Sequence, residues 1–194
     1  MGSYNTVSER QLAMSALKMN PEDDLRVLVG GLGLGYTVHT VLSSERVSYV
    51  EVVEFLPPVI DWLKRGLFPL AEELKSDSRL FLVVGDIFAR LANPPEQKFN
   101  LILIDVDHAP EENLGKTNSS FYTEDGLLLA KKHLAPNGVL AVWSYAESFS
   151  FATALRRTFS EVRVEPVTFE NKLVEEEQTD WLFLAWERRL REKK

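Results

Sequence analysis

The 194 residues carry a net charge of −7, 45% apolar and 26% charged side chains, and no cysteine. This length suits a single domain that removes about 70% of the unfolded chain's surface from water. The acidic balance argues against a general nucleic-acid binder, which needs a basic footprint for phosphates, and the missing thiols exclude disulfides, thiolate metal sites and cysteine nucleophiles.

In chain order, Ser8 to Met19 reads as a helix and leads into Arg26-Val27-Leu28-Val29, an apolar run that ends at glycines. Tyr36 to Leu42 reads as the helix after that glycine loop, and Val47 to Glu54 is a β-branched strand. A helix is predicted over Phe55 to Leu74, because the fixed φ and missing donors of Pro57 and Pro58 suit a first turn. Leu80 to Val84 is a strand ending at Gly85-Asp86, with a short helix over Ile87 to Leu91. Leu101 to Ile104 runs into Asp105, and Thr123 to Leu134 reads as a helix stopped by Pro136-Asn137-Gly138. Val139 to Trp143, a helix over Glu147 to Phe159, and two strand-like runs, Val162 to Phe169 and Trp181 to Trp186, complete the pattern.

Continuous apolar strands without alternation mark a sheet buried on both faces, hence parallel strands flanked by helices. The last two runs, with no helix between them, predict an antiparallel pair, and Pro166 places the first of the two at an edge or a bulge. No repeat or low-complexity linker interrupts residues 1–194, so one domain is expected, with a helical lead-in over 1–24 and a solvated basic tail over 188–194. No apolar run approaches the ~20 residues needed to span a bilayer. The opening MGSYNTVSERQ lacks the apolar core of a signal peptide, so a cytoplasmic setting is expected.

The segment Gly30-Gly31-Leu32-Gly33-Leu34-Gly35-Tyr36 stands between the first strand and a helix. A dinucleotide fingerprint beginning at Gly31 would need Gly or Ala where Tyr36 stands, and no Gly-Lys-Ser/Thr follows for a phosphate loop. A G-x-G-x-G turn suits a cofactor without a pyrophosphate. Glu54, about 20 residues on, ends the second strand, where a carboxylate can accept ribose hydroxyls. Asp86 and Asp105 end the third and fourth strands. Carboxyl ends of parallel strands share one edge, so the loop and three carboxylates converge on one crevice. Taken singly, each acid has a plainer reading; Asp86, for example, would also serve as a helix N-cap.

These blocks resemble the class I S-adenosylmethionine-dependent methyltransferase superfamily and, within it, the spermidine synthase-like branch. The likeness runs from about Ser8 to Ser144 through VLVGGLGLGYT, VSYVEVVEFLPPVIDW, VVGDIFARL, FNLILIDVDHAP and FYTEDGLLLAKKHLAPNGVLAVWS. It implies a Rossmann-like three-layer α/β/α sandwich on a mostly parallel seven-stranded sheet, closed by an antiparallel C-terminal strand pair. It implies that Gly31, Gly33 and Gly35 line the methionine part of the cofactor, that Glu54 holds the ribose, and that Asp86 and Ile87 meet the adenine. Asp105 then lies nearest the reacting centre, as base or anchor, with Asp107, His108 and Tyr122 as weaker candidates for substrate contact.

The departures from that branch set the functional expectation. Spermidine synthases resemble G-G-G-D-G-G in the loop and D-S-S-D-P after the fourth strand; here stand Gly-Gly-Leu-Gly-Leu-Gly and Asp105-Val106-Asp107-His108-Ala109. They also carry an N-terminal strand domain over the substrate, where this chain has a short helical lead-in. Loss of the loop aspartate favours ordinary S-adenosylmethionine over the decarboxylated form. The expected function is therefore methyl transfer to a small-molecule acceptor, with an amine among the candidates. Aminopropyl transfer in the manner of spermidine synthase is the alternative, and a non-catalytic cofactor-binding scaffold is a third reading. No nucleic-acid or membrane partner is expected, and a homodimer is left open.

The segment Asp105 to His108 is also similar to the I-D-x-D stretch of metal-dependent O-methyltransferases. Those carry an Asp-Asn pair after the next strand, where Trp143-Ser144-Tyr145-Ala146 stands here, so no metal is expected. His133, at a helix C-terminus, is explained by the helix dipole. Glu111 and Glu112 read as a solvated loop.

Overall fold

The computed structural model describes residues 6–106, 109–112, 116–171 and 176–187. One seven-stranded sheet forms the centre: β1 (Leu25–Gly30), β2 (Val47–Glu54), β3 (Leu80–Val84), β4 (Phe99–Ile104), β5 (Leu134–Ser144), β6 (Glu161–Asn171) and β7 (Glu176–Trp186). Their spatial order is β3-β2-β1-β4-β5-β7-β6. The first five run parallel to one another, whereas β7 pairs antiparallel with both β5 and β6. The expected fold class is what forms.

Alternate residues of each central strand feed opposite cores. Val27 and Val29 of β1, with Leu101 and Leu103 of β4, pack beneath α1 (Val7–Met19), α2 (Tyr36–Leu42), α3 (Pro57–Lys64) and α4 (Ala71–Ser76). Leu28, Ile102 and Ile104 face the other side, against α5 (Ile87–Ala92), α6 (Lys116–Phe121), α7 (Glu124–Lys131) and α8 (Phe149–Thr158). Side chains with period two on strands buried from both sides give this three-layer arrangement. Among the described residues no helix is long and apolar enough to cross a membrane.

Three local expectations are corrected. The helix predicted over Phe55 to Leu74 is two, α3 and α4, because the first one stops at Arg65 and Gly66 takes a positive φ of 76°. The double-sided burial inferred from apolar runs fails at β3: it is an edge strand, so Phe81, Val83 and Val84 remain exposed. His133 is not a cation on a helix end. It is buried, its Nε2 lies 2.9 Å from the Asn93 carbonyl, and burial lowers its pKa and favours the neutral ring. Pro166 does sit on an edge strand, β6, where a missing donor costs no ladder bond.

The order of strands sets the position of the site. From β1 the chain steps outward to β2 and β3, then returns to lay β4 on the other side of β1. That reversal leaves a crevice between the carboxyl ends of β1 and β4, the usual place for a ligand in an open α/β sheet.

Candidate active site

A cavity of about 660 Å³ opens at this crevice, within the range of small-molecule pockets. Its walls include Gly31, Gly33, Glu54, Asp86, Ile87 and Asp105. Much of the remaining wall is apolar, with Phe55, Leu56, Val59 and Trp62 from the segment after β2 and Phe68 ahead of α4. Four strand ends and the glycine loop thus meet around one space.

The loop and the end of β4 are fitted tightly. The Gly31 N–H donates to the Val53 carbonyl at 2.9 Å, and the Asp105 N–H donates to Gly30 O at 3.0 Å. A Cβ on Gly31, whose φ is 90°, would lie 2.4 Å from the Asp105 carbonyl oxygen, a contact no side chain tolerates. Gly35 has a different reason to be glycine. It does not line the cavity; a Cβ there would lie 2.5 Å from Leu74 Cδ1, so it lets α4 close over the start of α2.

Glu54 is buried with both oxygens engaged by the main chain: Oε2 accepts from Leu32 N and Oε1 from Leu56 N, each at 2.8 Å. These bonds hold the carboxylate against the loop, and each oxygen retains a second lone pair for a hydroxyl donor. Asp86 combines the two readings open to it. Its Oδ1 caps α5 by accepting from Phe88 N at 2.9 Å and Ala89 N at 3.2 Å, and the same side chain lines the cavity. Purine-sized apolar space, backbone-fixed carboxylates and a glycine cradle together fit an adenosyl group.

Asp105 differs from the other two acids. Its Oδ2 accepts a hydrogen bond from the Thr37 hydroxyl at 3.0 Å, and burial pushes its pKa up to about 6, with Thr37 opposing and the Asp180 charge adding. Asp180, on β7, accepts from Ser8 Oγ at 2.5 Å and Trp143 Nε1 at 3.1 Å, and burial raises its pKa despite both bonds. Glu9, on α1, is raised to about 7, mainly by burial; its own backbone N–H lowers it and the charges of Asp105 and Asp180 raise it. Of these three acids Asp105 alone lines the described cavity; Asp180 on β7 and Glu9 on α1 lie within charge-interaction range of it.

Several nominated residues fall elsewhere. Tyr122 packs edge-on against Phe121 and Phe151, with ring centroids at 5.1 Å in both cases, and is not part of the described cavity wall. Asp107 and His108 lie outside the described residues. Glu111 is tied down: its Oε1 accepts from Ser148 Oγ at 2.5 Å and from Ser150 Oγ at 2.7 Å at the start of α8. Among the described residues no group of three or more potential ligands could hold a metal ion. Glu9 and Asp180 escape sequence reasoning because they come from a lead-in helix and a late strand, outside any motif, whereas Thr37 closes the glycine-loop motif but carries no signal of its partner there.

The model of the spermine/spermidine synthase domain matches residues 7–171. The chain belongs to that family. A polyamine aminopropyltransferase of Sulfolobus acidocaldarius is 28% identical over 137 residues, covering 71% of this chain and 44% of its own length. The chain spans less than half the length of the curated relatives it matches. The spermidine synthase of Thermotoga maritima superimposes with a TM-score of 0.71 at 20% identity, over 95% of this chain and 60% of that one. Human methyltransferase-like protein 13, in complex with SAH, gives 0.64 at 18% identity, over 97% and 83%.

Membership of the spermine/spermidine synthase family corrects the expectation of methyl transfer. The family model and the curated relatives are on the aminopropyltransferase side, while the likeness to a methyltransferase shows the fold alone. The departures in the loop and after the fourth strand do not take the chain out of the family, and Glu9 and Asp180, remote in sequence, add two acids within charge-interaction range of Asp105.

Proposed function

We propose that this chain transfers an aminopropyl group from decarboxylated S-adenosylmethionine to the nitrogen of a polyamine-type amine. The observation that carries the reading is the adenosyl-sized cavity ending on Asp105, with Asp180 and Glu9 close enough for their charges to act on each other. A donor bearing a sulfonium and an ammonium group suits such an end; the carboxylate of ordinary S-adenosylmethionine would meet like charge there.

In this reading Gly31 and Gly33 border the donor's aminopropyl chain, Glu54 accepts from the ribose hydroxyls, and Asp86 and Ile87 border the adenine. Asp105 faces the attacking amine. The nitrogen lone pair forms a bond to the methylene carbon beside sulfur, and the carbon–sulfur bond breaks with its electron pair going to sulfur. The sulfonium becomes a neutral thioether, methylthioadenosine, and the surplus proton on the new secondary amine passes to Asp105. A carboxyl with a pKa of about 6 is mostly ionised at neutral pH and so open to that proton, and desolvation of the amine in the site, which lowers an ammonium's pKa, brings donor and acceptor closer. Alignment of the two reactants supplies most of the acceleration. Residues 1–194 act as one domain in this proposal, on small molecules in the cytoplasm.

The test is incubation with the decarboxylated donor and a panel of diamines, with products read by mass spectrometry. Equal amounts of methylthioadenosine and an aminopropylated amine are expected. A methylated amine formed from ordinary S-adenosylmethionine, with nothing formed from the decarboxylated donor, would overturn the proposal.

A further inference from the structure

We infer that Thr37 is a positioning residue, whose hydroxyl fixes the orientation of the Asp105 carboxylate at the cavity. The inference rests on the reading of Asp105 as the proton acceptor. Thr37 is the second residue of α2, buried to 3% exposure, and does not itself line the cavity. Its Oγ1 stands 3.0 Å from Asp105 Oδ2 and 3.4 Å from the backbone carbonyl of Glu9 on α1. A hydroxyl has one proton to give. The carboxylate is nearer and charged, so it takes the proton, and the Glu9 carbonyl marks where the hydroxyl turns when Asp105 is protonated and gives its own hydrogen to Thr37.

The two halves of Asp105 are thus held by different neighbours. Its main chain is clamped by the glycine loop, through the bond to Gly30 O and the close approach of Gly31. Nothing in that clamp fixes the side-chain torsion. Thr37 does, from a β-branched side chain whose own torsion is stiff in a helix. The helix is seated by Val38 and Val41 in the core, and Gly35 allows Leu74 to pack against its first turn. A carboxylate held by one oxygen presents the other in a constant direction, which is what in-line proton transfer needs.

The same bond matters for charge. The groups facing Asp105 are Asp180 from β7, Glu9 from α1 and Thr37 from α2. Burial and the charge of Asp180 favour the protonated carboxyl, and among the described residues the Thr37 hydroxyl is what opposes them. Removing the hydroxyl therefore raises the pKa of Asp105, and removing the Asp180 charge lowers it. A purely structural role for Thr37 would leave the pKa of Asp105 where it stands when the hydroxyl is removed.

The experiment is a titration of the Asp105 side-chain carboxyl by carbon-13 NMR, beside the pH dependence of kcat with diamine acceptors. The proteins are the wild type, Thr37→Val, Thr37→Ala, Thr37→Ser and Asp180→Asn. Both hydroxyl-free variants are expected to shift the titration up by about one pH unit, the equivalent of one ordinary hydrogen bond. Their kcat should fall about tenfold with the KM for donor unchanged, as for loss of an interaction made only in the transition state. Thr37→Ser should restore both, and Asp180→Asn should shift the titration down. Two results would overturn the inference: a Thr37→Val or Thr37→Ala titration superimposable on the wild type, or Thr37→Ser displaced as far as Thr37→Val. If the titrations move as stated while Asp105→Asn still transfers aminopropyl groups, the positioning holds and the assignment of Asp105 as acceptor fails. Either loss is thereby recognised separately.

Discussion

The two ends of the cavity are built on different principles. At the end proposed for the adenosyl group, Glu54 and Asp86 are held by backbone N–H groups within a few residues or on the adjoining loop, so each is part of the turn it terminates. At the end proposed for transfer, Asp105 is held by the Thr37 hydroxyl, and Asp180 and Glu9, within charge-interaction range of it, come from positions spread across the chain. The first pair of carboxylates is compensated by local dipoles. The second group sets like charges together in a partly buried place, which suits a cationic occupant.

Substitutions should separate the two ends. Asp105→Asn gives the largest effect expected: loss of the proton acceptor should lower kcat by about 10²–10⁴-fold with donor affinity little changed, read by initial rates and calorimetry. Glu54→Ala should weaken donor binding by about 1–3 kcal/mol, through the lost charge-assisted bonds to ribose, and unchanged affinity would remove Glu54 from the ribose site. Asp86→Ala should cost about 1 kcal/mol of stability by uncapping α5, visible as a lower midpoint in urea.

The transfer end also predicts a pH effect on stability, whose sign follows from its raised pKa values. Asp105 at about 6 and Glu9 at about 7 in the folded protein bind protons more tightly than the same groups unfolded. Stability from these groups is greatest at acid pH and declines as pH rises from the ordinary carboxylate range through about 7. Asp105→Asn should consequently stabilise the protein at pH 8 by about 1–3 kcal/mol, shrinking toward nothing near pH 4, in a series of thermal melts. A variant destabilised to the same degree at both pH values would show that Asp105 carries no such strain.

The contrast also explains what the sequence makes legible. Strand identities, the sheet's parallel core and the C-terminal pair follow from apolar runs and turn residues, and the glycine loop with Glu54, Asp86 and Asp105 follows from strand ends that topology brings to one edge. Glu9 and Asp180 show no such signal: one reads as an exposed helix acid, the other as part of a polar stretch before Trp181. Only the packing of α1 on the face of the sheet, with Ser8 bonded to Asp180 over an interval of 172 residues, brings them near Asp105. The exposed face of β3 depends likewise on what packs nearby, which periodicity cannot register, whereas the break after Lys64 has a local sign in Gly66 that the long apolar pattern overrides. The expectation of methyl transfer follows from departures in the loop, in the segment after the fourth strand and in the lead-in, and none of these motif positions carries the acids that packing brings near Asp105.

In the proposed reaction, acidity at the Asp105 end selects a donor lacking a carboxylate. Calorimetric titration of the same protein with decarboxylated and ordinary S-adenosylmethionine, at pH 7.5 and low salt, reads that selection. Binding of the decarboxylated form should be at least about tenfold tighter, narrowing in Asp180→Asn, since each tenfold step is about 1.4 kcal/mol of charge interaction. Equal affinities, or a preference for the carboxylated form, would contradict it.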